Sequence, residues 1–261
     1  MLALIAAVAL TPVAYNFPVS KPVNYSVEIG FKGFIPVLGG NEGSADVKMQ
    51  VQVKGLDPDD KGRPRTQSDL TDMKIVFNGA TLPFGLDNVK QFFPRNTLVI
   101  TPQGKIVETD APAIDLPVRL PGFDAKRFPD ITYLPIEFPE EGIEEGKAFT
   151  YSKAFGDSAV SYEVLPTSIK ADTIDLTVKM SQTYTTFEDE AANVLKSDKD
   201  AVSRVETEVK GEGKAVFDRK LNLIRSGDVT ADAVSTVFDL TAKTATKRKL
   251  KTTLKVRLEK K

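Results

Sequence analysis

The strongest constraint on the fold comes from residues 205–217, VETEVKGEGKAVF, where side-chain character alternates with a period of two. This alternation predicts a half-buried antiparallel strand with one face toward a core and one toward water. A slip of one residue would bury five charged side chains without partners, so the register is firmly set. The residues predicted to face inward are Val205, Thr207, Val209, Gly211, Gly213, Ala215 and Phe217, and the charged residues opposite are Glu206, Glu208, Lys210, Glu212 and Lys214.

Two glycines, Gly211 and Gly213, stand in the middle of this strand on its inward face. A glycine inside a strand leaves a gap in the packing and weakens the strand. We therefore expect a bend, a bulge or the close approach of another backbone at these two positions.

Composition excludes several functional classes. The chain has 261 residues, with 35 basic and 36 acidic side chains, so its net charge of −1 gives no overall attraction for nucleic acid. It contains no cysteine and no histidine, which excludes disulfides, thiol nucleophiles and every Ser-His pair. We predict a protein that is not an enzyme, needs no cofactor and has no nucleic-acid partner.

The same alternation recurs along the chain and predicts the fold class. About ten or eleven strands are expected, with little helix beyond a short helix or surface hairpin at residues 187–203. Asn78-Gly79 and Pro102-Gln103-Gly104 are typical of tight turns between strands. Because short turns join consecutive strands, we expect an all-β antiparallel meander, strongly curved into a half-barrel or open barrel.

The N-terminus, MLALIAAVAL, is apolar and is typical of a secretory signal peptide over residues 1–14. Cleavage is expected at Ala7-Val8-Ala9 or near Ala14, and the alternative is an N-terminal core strand or helix. Export then predicts a secreted or periplasmic location.

Residues 15–261 are expected to form a single β domain. Its two similar halves, about 23–110 and 147–261, are both built of Thr/Val-rich hairpins, which suggests an internal duplication. They are joined by residues 111–139, a segment with six prolines that rule out a regular central strand.

This connecting segment is too apolar to be a free linker, although an ordinary inter-domain connection is the alternative. We expect it to pack against the sheet and to act as a lid over an apolar ligand. The candidate ligand-binding residues are Phe123, Phe128, Tyr133, Leu134, Ile136 and Phe138.

Two segments, FPEEGIEEGKAFTY and GEGKAVFDRKLNLIRSGDV, resemble an uncharacterised family of bacterial exported β proteins, many of which carry an acylated N-terminal cysteine. The resemblance extends over residues 135–230. This chain lacks the cysteine and has Phe149 where the family commonly has tryptophan. The resemblance implies a curved half-barrel similar to periplasmic lipoprotein carriers and implies no known activity. The matching residues are Ile143, Gly146 and Phe149 in one motif, and Gly211, Gly213, Phe217 and Asp218 in the other.

Three charged features of the sequence are candidate sites. Residues 57–62, DPDDKG, resemble a calcium loop, but Lys61 and Ser68 stand where ligands are needed, so a solvated loop is favoured. The glutamates of residues 137–145 could bind a cation or a basic partner, but a solvated loop is favoured. The basic C-terminus, residues 247–261, either contacts a membrane surface or, as we favour, forms the outer face of an edge or closing strand.

Two functional hypotheses follow. The first is a non-catalytic exported protein of the bacterial cell envelope that binds a lipid or another apolar ligand on the concave face of its sheet. The second is a structural scaffold with a filled core and no small-molecule site.

If residues 205–217 and 246–258 share a sheet, the glutamates of residues 205–217 and the lysines of residues 246–258 lie on the same outer face.

Overall fold

A computed structural model of the chain describes residues 10–35, 41–83, 86–90, 95–111, 130–155 and 158–259. These ranges contain thirteen antiparallel strands in one sheet and two short helices, which confirms the predicted fold class. The strands are β1 (Val23–Ile35), β2 (Asn41–Leu56), β3 (Arg65–Phe77), β4 (Ala80–Thr81), β5 (Asn96–Ile100), β6 (Ile106–Thr109), β7 (Phe149–Phe155), β8 (Ser158–Ile169), β9 (Thr173–Glu188), β10 (Val194–Leu195), β11 (Ser203–Asp218), β12 (Leu223–Asp239) and β13 (Ala245–Leu258), and the helices are α1 (Leu86–Lys90) and α2 (Asp130–Tyr133).

The order of the strands is β6-β5-β3-β2-β1-β13-β12-β11-β9-β8-β7, with β4 beside β3 and β10 beside β9. Each half of the chain is a meander, and β1 and β13 pair in the middle of the sheet, from Tyr25 opposite Leu258 to Gly33 opposite Leu250. Within the described ranges, the outermost strands β6 and β7 do not pair with each other, so the sheet is open. The connection from β6 to β7 therefore runs from one edge of the sheet to the other.

Strand β11 has the alternation and the register that its sequence predicts. Val205, Val209 and Phe217 are buried, whereas Glu206 and Glu208 are exposed. We call the face that carries the buried side chains the inner face of the sheet. The opposite face is the outer face.

The mid-strand glycine Gly213 marks a close approach of two backbones. A β-carbon built at this position would lie 2.2 Å from the carbonyl oxygen of Asp228 on β12. At Gly211 the obstacle is a side chain, because a β-carbon there would lie 2.6 Å from Cγ of Met180. The close approach of another backbone, one of the expected alternatives, thus explains Gly213, whereas a neighbouring side chain explains Gly211.

Local predictions succeed where a turn has a strong signature. Asn78 and Gly79 have φ angles of 46° and 82° and connect β3 to β4, as expected for a two-residue hairpin turn. Residues 189–202 form turns and the short strand β10, which pairs with the end of β9, so the expected surface hairpin forms there and the helix does not. Strand β12 is continuous over 17 residues.

The basic strand β13 is central, not an edge strand, because it pairs with β1 on one side and β12 on the other. It shares the sheet with β11 as expected, but β12 lies between them. On the outer face Lys251 stands opposite Asp232 of β12 and opposite Lys32 of β1. Opposite and like charges thus meet at the same lysine.

The sheet curves toward its inner face. Strands β9 and β13 are separated by two strands, which in a flat sheet places them about 14 Å apart. The guanidinium of Arg248 on β13 nevertheless lies 2.6 Å from the carboxylate of Glu188 on β9. Arg248 alternates with the outward lysines of β13, so it makes this contact across the inner face.

The inner face is covered by two irregular segments. One is the crossover segment, which we define as residues 130–148, the described part of the β6–β7 connection that ends at β7. The other is the N-terminal segment, residues 10–18, whose Thr11 exchanges two backbone hydrogen bonds with Ile143. Aromatic rings connect the two segments to each other and to the sheet: Tyr15 lies 5.7 Å from Phe138 of the crossover segment in a tilted pair and 5.6 Å from Phe217 of β11 in an edge-to-face pair.

None of the helices in the described ranges is long and apolar enough to cross a membrane. Residues 1–9 of the predicted signal peptide lie outside the described residues. Residues 11–14 belong to the packed N-terminal segment, where Val13 is buried in the core.

Candidate functional site

An apolar cavity of about 130 Å³ lies between the inner face of the sheet and the crossover segment. Six neighbouring strands, β1, β13, β12, β11, β9 and β8, supply its floor, and β7 and the crossover segment supply its wall. The cavity therefore occupies the concave centre of the sheet, where the two halves of the chain meet. It is lined by Ile29, Phe31, Ile131, Thr132, Pro135, Ile136, Lys153, Tyr162, Val178, Met180, Ala215, Ile224, Gly227, Val229, Ala231, Thr252, Leu254 and Val256.

Small side chains on the floor create the space. Ala215 of β11 pairs with Gly227 of β12, and Ala231 lies four residues farther along the same face of β12. A β-carbon at Gly227 would meet no atom within 4 Å. The alternation of these strands thus places glycine and alanine where larger side chains would fill the concavity.

The wall is held in place by a buried carboxylate at the start of the crossover segment. Asp130 accepts hydrogen bonds from Ser68 Oγ at 2.7 Å, from Tyr133 Oη at 2.5 Å and from Asn96 Nδ2. Burial raises the pKa of Asp130, and the three hydrogen bonds oppose that rise. The cluster attaches α2 to β3 and β5.

Two tyrosines hold the backbone of the wall from the other side. Tyr15 of the N-terminal segment donates to the carbonyl oxygen of Ile136 at 3.0 Å, and Tyr151 of β7 donates to that of Pro135 at 2.6 Å. These bonds satisfy two backbone acceptors that no strand partner pairs with, because prolines interrupt the segment. The wall is thus fixed by side chains and not by a sheet ladder.

Lys153 is the charged residue of the cavity lining. Its side chain is 5% exposed, and its Nζ donates to the carbonyl oxygen of Leu134 at 3.0 Å. The carboxylate of Glu137 lies 3.8 Å from the same Nζ, and the ring of Tyr151 lies 5.7 Å from it. Both the carbonyl and the carboxylate belong to the crossover segment, so this lysine connects β7 to the wall.

The predicted lid residues fall into three groups. Ile136 lines the cavity. Tyr133, Leu134 and Phe138 are buried in the aromatic core beside it and do not line it. The remaining two, Phe123 and Phe128, lie outside the described residues.

Sequence reasoning missed Lys153 and the small residues of the floor. A signal was present for both. In the strand FTYSKAF, Lys153 falls on the same side of the alternation as Phe149 and Tyr151, which places a charge on an apolar face. The floor residue Ala215 lies on the predicted inward face of β11, next in the alternation to the two mid-strand glycines.

Within the described ranges, no group of three or more acidic side chains is placed to hold a metal ion. Asp59 of the calcium-like loop instead caps its own turn, accepting hydrogen bonds from the backbone nitrogens of Lys61 and Arg63. The loop is closed by its own residues, in line with the solvated loop that the sequence favoured.

No family model and no curated protein matches this chain. Among solved structures, one of lipovitellin, which concerns lipid–protein interactions in that protein, is similar to this chain in fold. The TM-score is 0.53 at 11% sequence identity, and the match covers 94% of this chain. It covers 26% of the lipovitellin chain, so this chain spans about a quarter of that protein. Nearly the whole chain thus has the fold of a β-sheet region in lipovitellin.

Proposed function

We propose that this protein binds the hydrocarbon part of a lipid in the cavity between the crossover segment and the concave face of the sheet. The observation that carries the proposal is the cavity itself, whose lining is apolar except for a few polar groups. Apolar concave sites with few polar groups are typical of small-molecule binding. The likeness in fold to a protein studied for its lipid interactions supports the same class of ligand.

The size of the cavity favours a narrow ligand. An apolar cavity of about 150 Å³ in another protein stays dry and accepts benzene. The space here, about 130 Å³, suits a segment of about six carbons of one hydrocarbon chain that enters among the side chains of the floor. Each methylene group moved from water into such a site contributes about 0.8 kcal/mol.

We further propose that the protein works after export in the bacterial cell envelope, as its apolar N-terminus and its family resemblance suggest. Cleavage at Ala7-Val8-Ala9 leaves the pair between Thr11 and Ile143 intact, whereas cleavage near Ala14 removes Thr11 and Val13 from the packed segment. The structure is thus compatible with processing at the first of the two sites.

The proposal is tested by lipid binding to the full chain and to a variant with a filled cavity. Gly227→Leu introduces a side chain where the floor has open space, and Gly227→Ala is the matched control with a smaller addition. We expect native mass spectrometry of the protein from a bacterial periplasm to show co-purified lipid for the original chain and for Gly227→Ala. The lipid should be lost in Gly227→Leu.

Binding of the neutral fluorophore N-phenyl-1-naphthylamine provides a second measurement, with the same order of the three proteins expected. A clean apo mass together with no fluorophore binding by the original chain would contradict the proposal. That result would favour the scaffold hypothesis, in which the crossover segment only completes the core.

A further inference from the structure

We propose that the ligand is a single-chain amphiphile with an anionic head, and that Lys153 selects that head by charge. This inference rests on the proposed lipid-binding function and adds the chemical class of the ligand. The shared chemistry is an acyl chain that carries a carboxylate or a phosphate, as in a fatty acid or a lysophospholipid. The assignment follows from the position of Lys153, from its partners and from the shape of the floor.

The ammonium of Lys153 is almost completely removed from water, since the side chain is only 5% exposed. It lies at the wall of an otherwise apolar cavity, where burial of an ammonium is unfavourable unless hydrogen bonds and opposite charge compensate. A leucine or methionine would pack at this position without that cost. The bond to the carbonyl of Leu134 and the pair with Glu137 offset this cost, and they keep a positive charge beside an apolar cavity.

The ion pair that Lys153 makes within the protein is long. Glu137 Oε1 lies 3.8 Å from Nζ, which is longer than a charge-assisted hydrogen bond of about 2.7–2.9 Å. An anionic head group that approaches from the cavity can come closer than Glu137 and compete with it for the ammonium. Lysine, with three donors on a flexible stem, accommodates such an exchange while it keeps its bond to the carbonyl of Leu134.

The floor limits the hydrocarbon part to one chain. Its open space follows Ala215, Gly227 and Ala231, and it is narrow because Ile224, Val229 and Leu254 also line it. A four-ring sterol exceeds a space of about 130 Å³, whereas a segment of about six carbons of an unbranched chain fits along the small residues. The anionic head then remains near the crossover segment, where Lys153 lies.

The test uses the delipidated full chain and displacement of N-phenyl-1-naphthylamine by three probes: palmitate, 1-hexadecanol and lysophosphatidylglycerol. Palmitate and hexadecanol share a chain length and differ in the charge of the head. We expect the original chain to bind palmitate more tightly than hexadecanol. Lys153→Met, which keeps the stem and removes the charge, should weaken palmitate binding by about 10- to 100-fold more than it weakens hexadecanol binding.

The variant Glu137→Gln distinguishes recognition of the anionic head by Lys153 from support of the wall by the pair between Lys153 and Glu137. Both variants remove the pair between Lys153 and Glu137, so a purely structural pair predicts the same loss in both. Our inference predicts opposite effects, because the glutamine no longer competes for the ammonium and palmitate should bind more tightly. Weaker palmitate binding in both variants, or equal losses for palmitate and hexadecanol in Lys153→Met, would overturn the inference.

The remaining outcomes distinguish the selection of the head by charge from lipid binding itself. If palmitate and hexadecanol bind the original chain equally, the charge selection is wrong while the lipid-binding proposal stands. If the original chain binds neither the fluorophore nor any probe, the lipid-binding proposal itself fails. If palmitate and lysophosphatidylglycerol both depend on Lys153, the tighter of the two identifies the carboxylate or the phosphate as the preferred head.

Discussion

Replacing Gly213 with alanine is expected to destabilise the protein, although the change adds only one methyl group. The new β-carbon would lie 2.2 Å from the carbonyl oxygen of Asp228 and 2.8 Å from Cα of Val229. Ordinary contacts of this kind begin at 3.4 Å, so the two backbones must separate by more than 1 Å. They cannot do so freely, because β11 is hydrogen-bonded to β12 on one side and to β9 on the other.

Overpacking of a tightly packed site costs about 1–3 kcal/mol, and a clash with backbone on a doubly paired strand belongs at the upper end. We therefore expect a loss of about 2–3 kcal/mol in the free energy of unfolding, which lowers Tm by about 4–12 °C in a domain of this size. Gly227→Ala is the matched control on the adjacent strand. Its β-carbon meets no atom within 4 Å, so we expect a gain of about 0.4–1 kcal/mol from reduced freedom of the unfolded chain.

Urea titration of both variants, followed by circular dichroism, measures this difference as a shift in the midpoint. The slope of the transition should remain unchanged, since neither substitution alters the surface exposed on unfolding. Equal midpoints for the two variants would refute the reasoning. They would show that β11 and β12 do not approach each other at Gly213 as closely as described.

Further predictions concern the two faces of the sheet and the buried carboxylate. Leu254→Asp places a charge on the cavity floor and is expected to unfold the C-terminal half, whereas Lys251→Glu should change the unfolding free energy by less than about 1 kcal/mol, because it exchanges attraction to Asp232 for attraction to Lys32. Equal losses in urea titration would mean that the inner and outer faces are misassigned. Burial raises the pKa of Asp130 in the folded state, so the folded chain binds that proton more firmly than the unfolded chain, and the contribution to stability grows as the pH falls through the raised pKa. The difference in unfolding free energy between the original chain and Asp130→Asn should therefore change with pH in the acid range, and a constant difference would contradict the assignment.

The sequence by itself determined the fold class and the two faces of the strands. The alternation in β11 separates Val209 and Phe217 from Glu206 and Glu208, and the cost of burying those charges allows one register only. The turn at Asn78-Gly79 was equally predictable, because few residues tolerate positive φ at two successive positions. Both are local properties, which a few neighbouring residues determine.

Part of the candidate site was also visible in the sequence. The connecting segment was recognised by its prolines and its apolar side chains, and Ile136 from it lines the cavity. Which of its side chains face the cavity and which pack into the core was not predictable, because a segment with so many prolines has no helical or strand period. The structure was therefore needed to show that Tyr133 and Phe138 pack into the core.

The tertiary structure alone decided that β1 pairs with β13 and so joins the two halves at the centre of the sheet. Many alternating strands in this chain are equally compatible with one another as neighbours, since pairing depends on backbone hydrogen bonds that every residue supplies. That pairing brings the small residues of β11 and β12 beneath the crossover segment. It also places Lys153 beside Glu137 and the carbonyl of Leu134, which lies 19 residues earlier in the chain. The cavity and its charge are therefore products of long-range packing, whereas the faces that line it are products of a period of two.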